Sequence, residues 1–86
     1  MGILSRFTHT KYNDDEIVHR AETAITEDPL IDDWKDVDIS SEKGVLTLSG
    51  FVHKEPEKDR VEGVVRSSLR DAGVKFDRIV NELGVH

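Results

Sequence analysis

The sequence predicts an α+β domain ordered helix, strand, strand, helix, strand (αββαβ), a three-stranded mixed sheet with two helices packed on one face. Three observations predict it. Residues 14–27 carry a capped stretch with helical apolar spacing. Residues 37–52 alternate apolar and polar on both sides of a glycine turn. A second amphipathic stretch then begins at Pro56 and closes at Gly73.

The first helix is announced by Asn13, a good N-cap, followed by Asp14 and Asp15, which suit the positive end of the helix dipole, and by Glu16 at the capping-box position. Ile17, Ala21, Ala24 and Ile25 recur on one face, with His19, Glu22 and Thr23 turned away. Pro29 ends the helix, because the residue before a proline is pushed out of helical geometry. An acidic connector over 28–36 holds the single tryptophan, Trp34.

Val37 and Ile39 alternate with Asp36, Asp38 and Ser40, the period of a strand with one wet face. Ser41 to Gly44 form the turn, with Gly44 providing the positive φ of a tight hairpin. In the longer strand, Leu46, Leu48, Gly50 and Val52 point inward while Val45, Thr47, Ser49 and Phe51 point outward. The inward Gly50 is expected where a helix approaches the sheet too closely for a side chain. Pro56 suits the first position of the second helix, Glu57 and Asp59 its positive end, and Arg66 and Arg70 its negative end. Val61, Val64, Val65, Ser68, Leu69 and Ala72 form its inward stripe, and Gly73 its C′ residue. The last strand is expected over about 78–85, with Ile79, Leu83 and Val85 on one face.

At 86 residues there is room for one core, expected over 13–86 after a flexible arm at 1–12. The absence of cysteine removes disulfides, thiolate metal sites and cysteine nucleophiles. Net charge is −6 and unevenly spread: Arg6 and Lys11 make residues 1–13 basic, residues 14–42 set 11 acids against Arg20 and Lys35, and residues 43–86 are nearly balanced. The acidic middle would repel a nucleic acid. No apolar run is long enough to cross a bilayer. Ser5-Arg6 interrupts the apolar start, so a secretory leader is not expected and a cytoplasmic location is, with peripheral membrane contact as an option.

Candidate chemistry is sparse. His9, His19, His53 and His86 lack the i, i+4 spacing of a helical zinc site and read as surface groups. Glu27, Asp28, Asp32, Asp33, Asp36 and Asp38 lack the central glycine of a calcium loop and read as a solvated acidic face. Ser49 and His53 are the nearest nucleophile–base pair, with no third group to orient them. No cofactor, metal or catalytic set is therefore expected. Three surfaces could bind: the arm with Ile3, Leu4, Arg6, Phe7 and Lys11; the outer side of the second helix with Gly63, Arg66, Ser67 and Arg70; and the outward sheet face, where Phe51 and Trp34 would anchor a partner. The arginines read equally as dipole complements paired to Glu62 and Asp59.

Asp28-Pro29-Leu30, the run Gly44-Val45-Leu46-Thr47-Leu48-Ser49-Gly50-Phe51-Val52, then Ala72-Gly73-Val74 and Ile79-Val80-Asn81-Glu82-Leu83-Gly84-Val85 together resemble a BON domain, the bacterial OsmY and nodulation module. The resemblance covers about residues 14–85. It departs from the family pattern at Lys75-Phe76-Asp77-Arg78, which lengthens the turn before the last strand. The resemblance implies an αββαβ fold, no catalysis, and association with phospholipid or cell-envelope surfaces, often in stress-related proteins. The alternatives are a protein-interaction module, monomeric or weakly homodimeric through the exposed sheet face, and a small-ligand or ion-sensing module.

Overall fold

A computed structural model of the chain describes residues 12–31 and 33–86; the arm candidates Ile3, Leu4, Arg6, Phe7 and Lys11 lie outside the described residues. The elements are α1 (Asp14–Glu27), β1 (Val37–Glu42), β2 (Val45–Val52), α2 (Glu55–Asp71), β3 (Arg78–Asn81) and β4 (Gly84–Val85). The chain has the expected α+β order, and the sheet is mixed. β1 pairs antiparallel with β2, while β3 and β4 both lie parallel beside β2. Leu46 faces Ile79 and Phe51 faces Gly84 in one common register, so β3 and β4 are a single strand interrupted at Glu82 and Leu83.

Local chemistry explains the element ends. Asn13 Oδ1 accepts the Glu16 N–H at 3.1 Å, capping α1. After α1, Asp28 Oδ1 accepts the Leu30 N–H at 2.8 Å, and the Asp28 carbonyl accepts the Ile31 N–H at 3.2 Å across Pro29. That turn sends Ile31 into the core and leaves Leu30 exposed. Helix α2 begins at Glu55, one residue before Pro56. Its first turn is tied down by Glu57, a buried carboxylate that accepts the His53 and Lys54 N–H groups at 3.1 and 3.2 Å. At its other end, Val74 N–H reaches the Leu69 carbonyl at 2.9 Å and Gly73 N–H reaches Arg70 at 3.1 Å, the paired bonds of a Schellman motif.

The core lies between the sheet and the two helices. Ile17, Ala21 and Ile25 of α1 and Val61, Val65 and Leu69 of α2 close over Leu46, Leu48 and Val52 of β2, with Ile31 and Leu83 at the margins. Val64 and Ser68 are half-buried and Ala72 is exposed, so the inward stripe of α2 is narrower than its sequence suggests. Tyr12, assigned to the arm on sequence, packs its ring over Gly44 and against the core. The lengthened turn at 74–77 has a structural use. Phe76 packs on the core, and Asp77 N–H donates to the Gly44 carbonyl at 2.8 Å, joining the turn to the hairpin.

Gly50 has a different cause from the one expected. It adopts φ +95°, and a Cβ there would overlap the backbone carbonyl of Asp36, which accepts the Phe51 N–H at 3.0 Å. The crowding group is backbone from the segment leading into β1, not a helix. The break between β3 and β4 lies opposite this kink, and there Leu83 N–H bonds to Asn81 Oδ1 at 3.1 Å instead of to β2.

Asp14 ties α1 to the hairpin. Its Oδ1 accepts from the Ser41 hydroxyl at 2.7 Å and the Gly44 N–H at 3.0 Å, and its Oδ2 accepts the Lys43 N–H at 2.9 Å. Lys43 and Gly44 have φ +51° and +84°, a two-residue turn of the I′ type that the carboxylate holds from outside. The Gly44 N–H, the Ser41 hydroxyl and the Lys43 N–H keep the Asp14 carboxyl below its ordinary value. Asp33 is likewise lowered, first by the Lys35 N–H and then by the His53 ring. A depressed folded-state pKa gives stability that is present above the unfolded carboxyl value of about 3.9 and lost as pH falls through the lower folded value. Asp14→Ala is therefore expected to be less stable than the parent at neutral pH, with the two thermal midpoints converging as pH falls below about 4. Thermal unfolding followed by circular dichroism across that range measures this, and a gap that stays constant through the acid limb contradicts it.

Candidate binding surfaces

The helices cover one side of the sheet only, so β2 presents its second face outward. Val45, Thr47, Ser49 and Phe51 run along it, and the register places Val80 beside Thr47 and Gly84 beside Phe51. Phe51 is 49% exposed, with its ring lying over Gly84. The ring also meets His86 edge-on, centroids 5.4 Å apart and planes at 82°. Asp38 and Glu42 flank this strip on the β1 side, and Arg78 and Glu82 on the β3 side. The face carries Val45, Val80 and Phe51 among the hydroxyls of Thr47 and Ser49, within a predominantly acidic border.

Outside the helical layer, α1 and α2 border a groove of about 980 Å³ lined in part by Arg20, Ala24, Asp59, Gly63, Ser67 and Asp71. Gly63 and Ser67 stand in this groove as their outward helical position predicts, and nothing approaches within 4 Å of the place a Gly63 Cβ would take. Arg60, which also lines it, grips Asp28 through Nε at 3.1 Å and Nη2 at 2.9 Å. This ion pair joins the second turn of α2 to the Asp28-Pro29-Leu30 bend. Arg66 turns away from the groove and binds Glu62 at 2.6 Å; Glu62 also accepts from Asn81 Nδ2 at 3.1 Å. Asn81 Nδ2 bonds the Lys58 carbonyl at 2.9 Å as well, so Arg66 belongs to a network joining α2 to β3. Arg70 is exposed near the end of α2. Gly63 thus lines the groove, whereas the Arg66 side chain three residues on is engaged with Glu62 and does not.

The remaining chemistry candidates are dispersed. Ser49 lies on the outer sheet face, while His53 Nε2 stands 3.2 Å from Asp33 Oδ2. Among the connector acids, Asp28 is committed to Arg60 and Asp33 to Lys35 N–H and His53. Among the described residues, no group of three or more His, Asp or Glu side chains is gathered to hold a metal ion. No helix among them is long and apolar enough to cross a membrane.

Trp34 does not join Phe51 on the outer face. It lines a separate cavity of about 300 Å³ between α1 and β1, with Ile25, Val37 and Ile39 among its neighbours. The sequence signal was the place where strand alternation begins: the Val37 N–H bonds back to the Trp34 carbonyl at 3.1 Å, fixing the tryptophan at the mouth of β1.

Fold and surfaces together describe a small α+β domain in which, among the described residues, one sheet face is covered by helices and the other is open. A scan of protein-family models finds none that matches the chain, and a search of curated proteins also finds no match.

Proposed function

We propose that the chain is a non-catalytic binding module that takes a protein surface against the open face of its sheet. The observation that carries this reading is Phe51, half exposed at the end of a strip of Val45, Thr47 and Ser49 that neither helix covers. Large aromatics seated in such strips commonly anchor interfaces. Asp38, Glu42 and Glu82 around the strip suit a partner with an apolar centre and a basic border, and they would repel an anionic membrane. The resemblance to BON domains also supports a binding role, since its longest matching run builds β2, the strand that supplies this face. A phospholipid surface is the second reading, favoured by that resemblance alone.

Amide-shift mapping tests both readings, using neutral vesicles, anionic vesicles and rising concentrations of the chain itself, with partner pull-downs compared between the parent and Phe51→Asp. The expected result is a partner retained by the parent and lost by Phe51→Asp, with the variant's thermal midpoint nearly unchanged. Shifts at Val45, Thr47 and Phe51 with vesicles would replace the protein partner by lipid. Retention of every partner by Phe51→Asp, with no shift on this face under any condition, removes the proposal.

A further inference from the structure

β1 is one of the two outer strands of the sheet, the other being β3 with β4; it has β2 on one side and no strand on the other among the described residues. Its ladder alternates. The bond from Phe51 N–H to the Asp36 carbonyl, and the closing pair of Glu42 with Val45 at the two-residue turn, fix which residues face β2. Asp36, Asp38, Ser40 and Glu42 turn their backbone groups towards β2, and Val37, Ile39 and Ser41 turn theirs to the open edge. The Val37 N–H is taken by the Trp34 carbonyl. Ile39 and Ser41 therefore offer an outward N–H and carbonyl each, and Val37 its carbonyl, spaced as a strand would meet them.

The side chains of Val37 and Ile39 descend from this edge into the Trp34 cavity, whose opposite wall is Ile25 and Thr26 of α1. At about 300 Å³ the cavity is at the small end of ligand pockets, room for side chains of an added strand rather than for a large cofactor. Glu22 and Lys35 stand at its rim. That rim pair is balanced, so the acidity beside the edge comes from β1 itself, whose charged side chains are Asp38 and Glu42.

Natural edge strands are commonly protected by lysine, proline or a bulge. β1 carries none of these, only Asp38 and Glu42 as charged side chains. Two copies pairing β1 to β1 would set acids against acids, which is destabilising across a ladder. The same acids favour a basic strand. We propose that the outer edge of β1 is a strand-addition site for a basic, extended segment of another protein whose alternate side chains are apolar, with one of them entering the Trp34 cavity. Backbone bonds to Ile39 and Ser41 give such a segment its hold, the cavity selects one side chain, and the surrounding charge selects its sign.

This site is separate from the outer sheet face, so its test can succeed or fail independently of that reading. The full chain is titrated with a blocked seven-residue peptide alternating lysine and valine, and with its glutamate–valine counterpart. Trp34 is the only tryptophan, so its fluorescence reports the cavity directly. The lysine peptide is expected to give a saturable fluorescence change that weakens about tenfold from low to high salt. It should also slow hydrogen exchange of the Ile39 and Ser41 amides about tenfold or more, as newly bonded strand amides do. Trp34→Ala should weaken that protection, while Phe51→Asp should leave it unchanged. Equal binding of the glutamate peptide, a fluorescence change without protection at Ile39 and Ser41, or loss of binding in Phe51→Asp would each overturn the assignment. So would dimerisation of the chain through β1.

Discussion

Gly50→Ala is expected to lower the stability of the protein by about 3 kcal/mol or more, because strained φ and overpacking act together there. At φ +95° any L side chain is strained, and the new methyl would also overlap the Asp36 carbonyl. A flexible side chain could swing clear of such a methyl. A carbonyl held by the Phe51 N–H cannot do so without giving up that bond and the entry into β1. Urea unfolding should show a lower midpoint with an unchanged slope. Gly63→Ala is the control, since it lies within α2 with open space around its Cβ position; it should be neutral or raise stability by up to about 1 kcal/mol. Similar losses for both glycines would contradict the kink at Gly50.

The contrast between these glycines marks what was legible in the sequence. Short-range patterns identified both helices, the hairpin and its turn, because Asn13, Gly44, Pro56 and Gly73 act on neighbours within a few residues. The same patterns placed Phe51 on the outer face, since strand parity decides it. They did not disclose polar links between distant segments. Asp14 reads as a helix-dipole acid until the fold brings Ser41, Lys43 and Gly44 to it, and Asp28 reads as part of an acidic face until Arg60 arrives from α2. Asn81 has no helical or strand signal that names Lys58 and Glu62 as its partners. Trp34 was misplaced for a related reason. Its connector has no period, so only the packing of α1 against β1 shows which cavity it lines. For Gly50 strand parity pointed to crowding by a helix, but the crowding atom belongs to a neighbouring backbone that periodicity does not describe.

Leu48→Ala is the second large effect expected. Leu48 is fully buried at the middle of β2, paired with Ile39 on one side and Asn81 on the other, and directed at the helical layer. Its truncation removes apolar contact and leaves a cavity that neighbouring side chains fill only in part, at a cost of about 2–5 kcal/mol. A domain of this length has about 4–13 kcal/mol of total stability, so the loss could approach the whole of it. The upper part of that range is favoured by the bonds that fix the walls. Asn81 ties β3 to α2, Asp14 ties the hairpin to α1, and Arg60 ties α2 to the bend after α1. These links limit collapse into the vacated space. Phe51 lies three residues further along the same strand, on the opposite face, where Phe51→Asp should change stability little. If a denaturant titration finds the two substitutions equally damaging, the outer face is packed against something and is not open. If Leu48→Ala alone is damaging, stability resides on the helical side of β2, and the Phe51 side is free to be used for binding.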